Sequence, residues 1–179
     1  MYNRRTMDLV HVAVRKVVRL GHPGLRAKTK PLTPAQVLSP GVQRLIEEMA
    51  VTMDEYEGVG IAGNQVAQGL AIFLMGLAEG GPRHKGGIPL TVVVNPKVRF
   101  IGKATELDWE GCLSVPGLRG QVPRYKKLEL SGLDHRGEPF KRVYEGFPAR
   151  VVQHECDHLN GFVYLDRMDG LKTLTYVER

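Results

Sequence analysis

The sequence predicts an α+β fold in a single domain, with short, mostly antiparallel strands packed around a central helix that carries a His-Glu-x-x-His segment. Three observations lead there. Short apolar runs bounded by Gly, Pro, Asn and Asp recur along the chain and read as strands. Two stretches, far apart in the chain, carry helical periodicity instead. The length of 179 residues suits one core, and no internal repeat, low-complexity tract or linker divides it.

Val10, Val12 and Val14 alternate as in a strand, and Gly21-His22-Pro23-Gly24 supplies turn residues. Ser39-Pro40 reads as an N-cap followed by Pro at the first helical position. Val42, Leu45, Ile46, Met49, Ala50 and Met53 then recur at helical spacing until Gly58 ends the pattern. Residues 70–77, 90–94 and 97–101 read as strands, with a Gly-rich connection over 79–87. A hairpin follows, in which Leu128 and Leu130 alternate with polar neighbours, Asp134-His135-Arg136-Gly137 turns, and residues 140–144 return. The second helix covers residues 148–160, with Gly161 positioned to cap it.

Composition narrows the function classes. Hydrophobic residues at 42% and charged residues at 25% exclude a disordered, collagen-like or coiled-coil chain. The longest apolar run, over residues 70–77, is strand-sized and far below the roughly 18 to 20 residues of a membrane span. The net charge of +6 is unevenly spread: residues 1–30 carry +7 and the rest of the chain −1. The basic signal therefore belongs to an N-terminal arm and the body is nearly neutral. Two cysteines, Cys112 and Cys156, cannot build a disulfide framework, so a reducing compartment is expected.

The strongest chemical signal is His154-Glu155-Cys156-Asp157-His158 in the second helix. At about 100° per residue, His154 and His158 lie roughly 40° apart on one face and can share a metal. Glu155, about 100° from His154, can border the open side of that metal, while Cys156 points about 200° away and reads as core. A catalytic metal keeps three protein ligands and one open position. Cys112, Asp157, His135 and the remaining acids are candidates for the third, and the Gly-flanked segment Glu110-Gly111-Cys112-Leu113-Ser114 favours Cys112. Gly58-Val59-Gly60-Ile61-Ala62-Gly63-Asn64-Gln65 is no phosphate loop, because it lacks Gly-Lys-Ser/Thr and follows a helix.

In order, that Gly-rich segment, Glu110-Gly111-Cys112-Leu113-Ser114, and Gln153-His154-Glu155-Cys156-Asp157-His158-Leu159 closely resemble the three motifs of the peptide deformylases. The resemblance runs from near Val14, through Val18-Arg19-Leu20-Gly21-His22-Pro23-Gly24-Leu25-Arg26, to about Asp166. It implies a basic extension over residues 1–13 and a single catalytic domain over 14–179. One departure is Gly63, where the family usually has alanine; a looser loop is expected from it.

The resemblance implies an enzyme that removes the formyl group from the N-terminal formyl-methionine of nascent polypeptides, releasing formate. Cys112, His154 and His158 would hold one divalent metal, Fe2+ in the cell, with Zn2+, Ni2+ or Co2+ able to replace it. Glu155 would accept the proton of the attacking water. The Gln65 side-chain amide and the Leu113 backbone N–H would stabilise the developing oxyanion. Val59 and Gly60 would pair with the substrate as an added strand, Gly111 would let its backbone approach, and Phe147 and Val151 would line the methionine pocket with Arg119 at its edge. Arg124 is expected to pair with Glu110 or Asp157, and Arg150 to be a solvated charge.

A metallopeptidase that cleaves unformylated peptides, and a nucleic-acid-binding module suggested by the basic arm, are the competing readings. The near-neutral body, a single Trp and the lack of an RNA-binding motif weigh against the second. The expected partners are formyl-methionyl nascent chains close to the ribosome, with no membrane and no sequence-specific nucleic acid. Only some 13 residues precede the family-like start, short for a transit peptide, which favours the cytoplasm.

Overall fold

The computed structural model describes residues 12–80 and 84–177. Val10 and residues 1–11, with Arg4 and Arg5, lie outside the described residues, as do residues 81–83. Residues 12–19 form no strand. They and the following Leu20 are held by separate hydrogen bonds, from Arg15 N–H to Thr52 Oγ1 (2.8 Å), Val18 N–H to the Gln65 carbonyl (2.9 Å) and Leu20 N–H to the Ser114 carbonyl (2.8 Å). The valines alternate in the sequence, but among the described residues no strand pairs with residues 12–19.

A one-turn helix α1 (Pro34–Val37) precedes α2 (Pro40–Glu55). Ser39 caps α2 from a β-region conformation by accepting from the Val42 N–H, with Pro at the first helical position, as the sequence predicts. Strands β1 (Gly60–Ala62), β2 (Ile72–Leu77) and β3 (Ile88–Phe100) follow. Next come β4 (Thr105–Cys112), β5 (Val115–Tyr125), β6 (Lys127–Leu133) and β7 (Pro139–Glu145), then helix α3 (Phe147–Leu159) and the short β8 (Thr175–Tyr176). They make two antiparallel sheets, one in the order β1-β2-β3-β6-β7 and one in the order β4-β5-β8.

The two strands expected over 90–94 and 97–101 are one bent strand, β3, whose register shifts between Val94 and Lys97. Asn95 sits in the bend at φ 51°, a left-handed conformation that Asn tolerates. Its side-chain amide accepts from the Leu32 N–H (2.9 Å) and donates to the Leu32 carbonyl (2.6 Å), tying the segment before α1 to the sheet.

Strand β2 is buried on both faces, which is why its sequence is a continuous apolar run and not an alternating one. Ile72 and Leu74 face Leu45, Met49 and Met53 of α2, while Phe73 and Met75 face Ala149, Val151 and Val152 of α3. The five-stranded sheet is thus covered by α2 on one side and α3 on the other. Helix α3 also packs on β5 and so lies between the two sheets. It ends in a Schellman motif: Gly161 N–H donates to the His158 carbonyl and Phe162 N–H to the Asp157 carbonyl. Gly161 is at φ +83°, and a Cβ there would run into the Arg26 backbone, 2.8 Å from its carbonyl carbon. Only glycine fits.

The N-terminal segment is locked to α2 through Glu48, which accepts from Arg15 Nε (2.7 Å) and Arg44 Nε (2.9 Å). The hydrogen bond from Arg44 outweighs burial and, with Arg15, holds the Glu48 pKa below its ordinary value of 4.5. A pKa lowered by folding means a contribution complete above about pH 4.5 that is lost as the pH falls toward the folded value. Glu48→Gln is therefore expected to lower the urea midpoint near neutral pH. The gap to the parent protein should narrow as the pH falls below about 4.5, read by urea titration across that range.

Candidate metal centre

The chain brings Cys112, at the end of β4, together with His154 and His158, one turn apart on α3. One ligand atom from each lies within 4.8 Å of the others. The Cys112 Sγ is 3.2 Å from His158 Nε2 and also accepts from the Ser114 N–H at 3.4 Å. His154 Nδ1 is engaged by Glu110 Oε2 at 2.9 Å, which leaves its Nε2 as the free donor atom. Of the candidates for a third ligand, Asp157 is taken up by Arg124 and Arg167, and among the described residues only Cys112 joins the two histidines in this cluster. A thiolate with two imidazoles at this spacing fits a tetrahedral site with one open position.

Glu155 faces the same space. Its residue is 3% exposed, and its Oε2 has no hydrogen-bond partner among the described residues. Burial pushes its pKa up to about 7, a value suited to moving protons near neutrality. The carboxylate lies against Gly60, where a Cβ would approach its Cδ to 2.7 Å, so any larger residue there would displace it.

Gln65 lies on a 3-10 turn, Gly63–Val66. Its amide oxygen accepts from the Ala62 N–H (2.8 Å), which turns its NH2 group toward Ser114 Oγ (3.2 Å) and Cys112 Sγ (3.5 Å). The loop is not loosened by Gly63. A Cβ at Gly63 would lie 2.8 Å from the Leu70 carbonyl oxygen, so the loop is packed too closely for alanine.

The donors open into a groove of about 1360 Å3 whose walls include Val59, Gly60, Leu113, Gly111, Phe147 and Val151. Segment 16–19 forms a further wall that the sequence did not suggest. The Arg119 guanidinium stacks 4.8 Å from the centroid of the Trp109 ring. Cys156 packs among apolar residues of α3 and the sheet, and burial pushes its thiol pKa far up, in keeping with a core role.

Behind the donors lies a buried ionic network. Glu110 accepts from Arg124 Nε (2.8 Å), Arg124 Nη2 (3.0 Å) and Arg150 Nη1 (2.9 Å) as well as from His154. Burial alone would raise the Glu110 pKa; the bonds to His154 and Arg124 outweigh it and hold the carboxyl well below the usual range. Arg124 pairs with both expected partners, reaching Asp157 Oδ2 at 2.6 Å as well as Glu110. Arg150 is not a solvated charge. It is 4% exposed and also donates to the carbonyls of Glu106 (2.7 Å) and Val122 (2.8 Å), crossing from α3 to the β4-β5 hairpin. Four acceptors on that hairpin, the Asp108 carbonyl at 3.4 Å among them, are invisible in local sequence and turn a helix-surface arginine into a core one.

A thiolate and two imidazoles, with a buried unpaired carboxylate beside them on one helix, define the class: a mononuclear metal-dependent hydrolase. The family profile of polypeptide deformylase matches residues 14–174. The chain is 40% identical over 167 residues to peptide deformylase 2 of Ralstonia nicotianae, covering 92% of this chain and 93% of that one. It is 38% identical over the same span to peptide deformylase 1 of Nitrosomonas europaea. The class I type b peptide deformylase of Acinetobacter baumannii with Met-Ala-Ser bound has a TM-score of 0.82 at 35% identity, covering 88% of this chain and 99% of that one. The peptide deformylase of Thermotoga maritima has a TM-score of 0.77 at 34% identity, with coverage of 88% and 99%. The chain belongs to the peptide deformylase family. It is a metal-dependent enzyme that removes the formyl group from the N-terminus of nascent polypeptides, releasing formate.

Glu110→Gln keeps the side-chain shape but removes the charge that orients His154. Loss of such a partner weakens metal binding by about 10- to 100-fold. Chelator competition should read that loss, together with a lower urea midpoint, because Arg124 and Arg150 lose the charge of a buried partner.

Proposed function

We propose that Cys112, His154 and His158 hold a single divalent ion, Fe2+ in the cell, and that Zn2+, Ni2+ or Co2+ can replace it. The observation that carries this reading is the convergence of three donor atoms on the face where Glu155 keeps an unpaired, buried carboxylate oxygen. Held by these residues, the ion would supply Lewis acidity, lowering the pKa of water and polarising the formyl carbonyl. Glu155 takes the proton of the attacking water at its carboxylate and hands it to the methionine nitrogen as the carbon–nitrogen bond breaks. The Gln65 NH2 group and the Leu113 N–H donate to the formyl oxygen as negative charge grows there.

The free edge of β1 supports Val59 and Gly60 as the strand that the peptide pairs with, since β1 is the outermost strand of its sheet. Gly111 admits the peptide backbone, and Phe147 and Val151 flank the methionine side chain, with Arg119 further out beside Trp109. Residues 14–179 act as one catalytic domain behind a basic extension over 1–13. The enzyme works in the cytoplasm close to the ribosome, where formylated chains emerge. No helix among the described residues is long and apolar enough to cross a membrane.

Glu155→Ala is expected to lower formate release from formyl-Met-Ala by at least about 1000-fold with the metal content unchanged. Cys112→Ser should lose the metal itself, read by metal analysis after dialysis. Near-normal turnover in Glu155→Ala sinks the proton-transfer role. Cleavage of Met-Ala would instead favour a peptidase. Metal analysis of anaerobically purified protein, coupled to formate release, tests the ion. The iron form should lose activity in air as the thiolate and Fe2+ oxidise, while a Ni2+ form should not.

A further inference from the structure

The groove of about 1360 Å3 exceeds the roughly 300–1000 Å3 that encloses a drug-sized ligand, so it takes more than one methionine. Two outermost strands border it, β1 of the five-stranded sheet and β4 of the three-stranded sheet, so an extended peptide can lie between two free edges. Along β4 the faces alternate. Glu110 is turned in against α3 and is 6% exposed, whereas Trp109 is turned the other way and is 40% exposed. Trp109 is the single tryptophan of the chain, and it lines the groove. Arg119, across the ladder from Gly111, braces the indole at 4.8 Å.

Side chains of an extended peptide alternate between faces. A first residue seated against Phe147 and Val151, on the α3 side, turns the second residue toward the Trp109 side. We propose that Trp109, braced by Arg119, is the specificity-determining residue for the second residue of the formylated peptide. The indole stacks with an aromatic or broad apolar side chain there, and the Arg119 cation disfavours lysine or arginine. This rests on the deformylase reading above and names which of its substrates the site prefers.

The test compares kcat/KM for formyl-Met-Phe-Ser and formyl-Met-Lys-Ser in the metal-loaded enzyme. The parent protein should favour the Phe peptide by about five- to tenfold. In Trp109→Ala that ratio should fall to about one, and Trp109→Phe should keep most of it. A ratio unchanged in Trp109→Ala overturns the proposal. A second readout does not need catalysis. With Trp109 the sole tryptophan, its emission should shift on titration of the Ni2+-loaded protein with the deformylated peptide Met-Phe-Ser, and much less with Met-Lys-Ser. Emission unchanged at saturating peptide overturns the proposal, while absence of formate release with a shift in emission would overturn the deformylase roles and leave the Trp109 contact standing.

Discussion

The buried network of Glu110, Arg124, Asp157 and Arg150 is the constraint on which the rest of the site depends. The donor set comes from two elements that share no local contact, the end of β4 and the middle of α3, and they must meet with sub-ångström tolerance. Apolar packing alone lets a helix slide on a sheet; a fork of charge-assisted hydrogen bonds does not. Arg124 reaches from β5 to Glu110 on β4 and Asp157 on α3, and Arg150 reaches back from α3 to four acceptors on the hairpin. Gln153 adds a third tie, bonding the backbone N–H and carbonyl of Tyr125 at 3.0 and 2.9 Å. The acids and arginines balance closely in charge, which is the condition under which burial is tolerated.

That network also sets the electrostatics in front of it. Glu110 is kept ionised and orients His154 by its Nδ1, while Glu155, one residue along, has no such partner and carries a raised pKa near 7. Two carboxylates within one site thus differ in character because one faces arginines and the other faces the groove. The lone buried carboxylate is a destabilising feature, retained where a group able to exchange protons is wanted.

Glycines and edges complete the arrangement. Gly60 gives Glu155 its room, Gly63 lets the Gln65 turn close onto Leu70, and both lie where a Cβ has no space. The free edges of β1 and β4, normally a hazard for aggregation, face a common groove in which an extended chain can satisfy them. The N-terminal segment adds the last wall, so part of the basic character seen in the sequence stands at the mouth of the groove at Lys16 and Arg19.

Much of this was legible in order along the chain. The cap at Ser39-Pro40, the periodicity of α2, the β6-β7 hairpin and the stop at Gly161 are local signals, governed by residues within a turn or two of one another. The pairing of His154 with His158 follows from helical geometry alone, and the resemblance carried by three motifs supplied Cys112. What stayed hidden was everything that depends on a distant partner: the tethering of residues 12–19 to Thr52 and Gln65, the β4-β5 hairpin whose long strands lack clear alternation, the burial of Arg150 and the position of Trp109. The sequence by itself determined the periodic elements, their caps and the chemistry of the donor residues, because those depend on side-chain type and spacing within one segment. Only the tertiary structure decided which faces are buried, which carboxylate is paired and which is left bare, because those depend on what another segment brings to the same few ångströms.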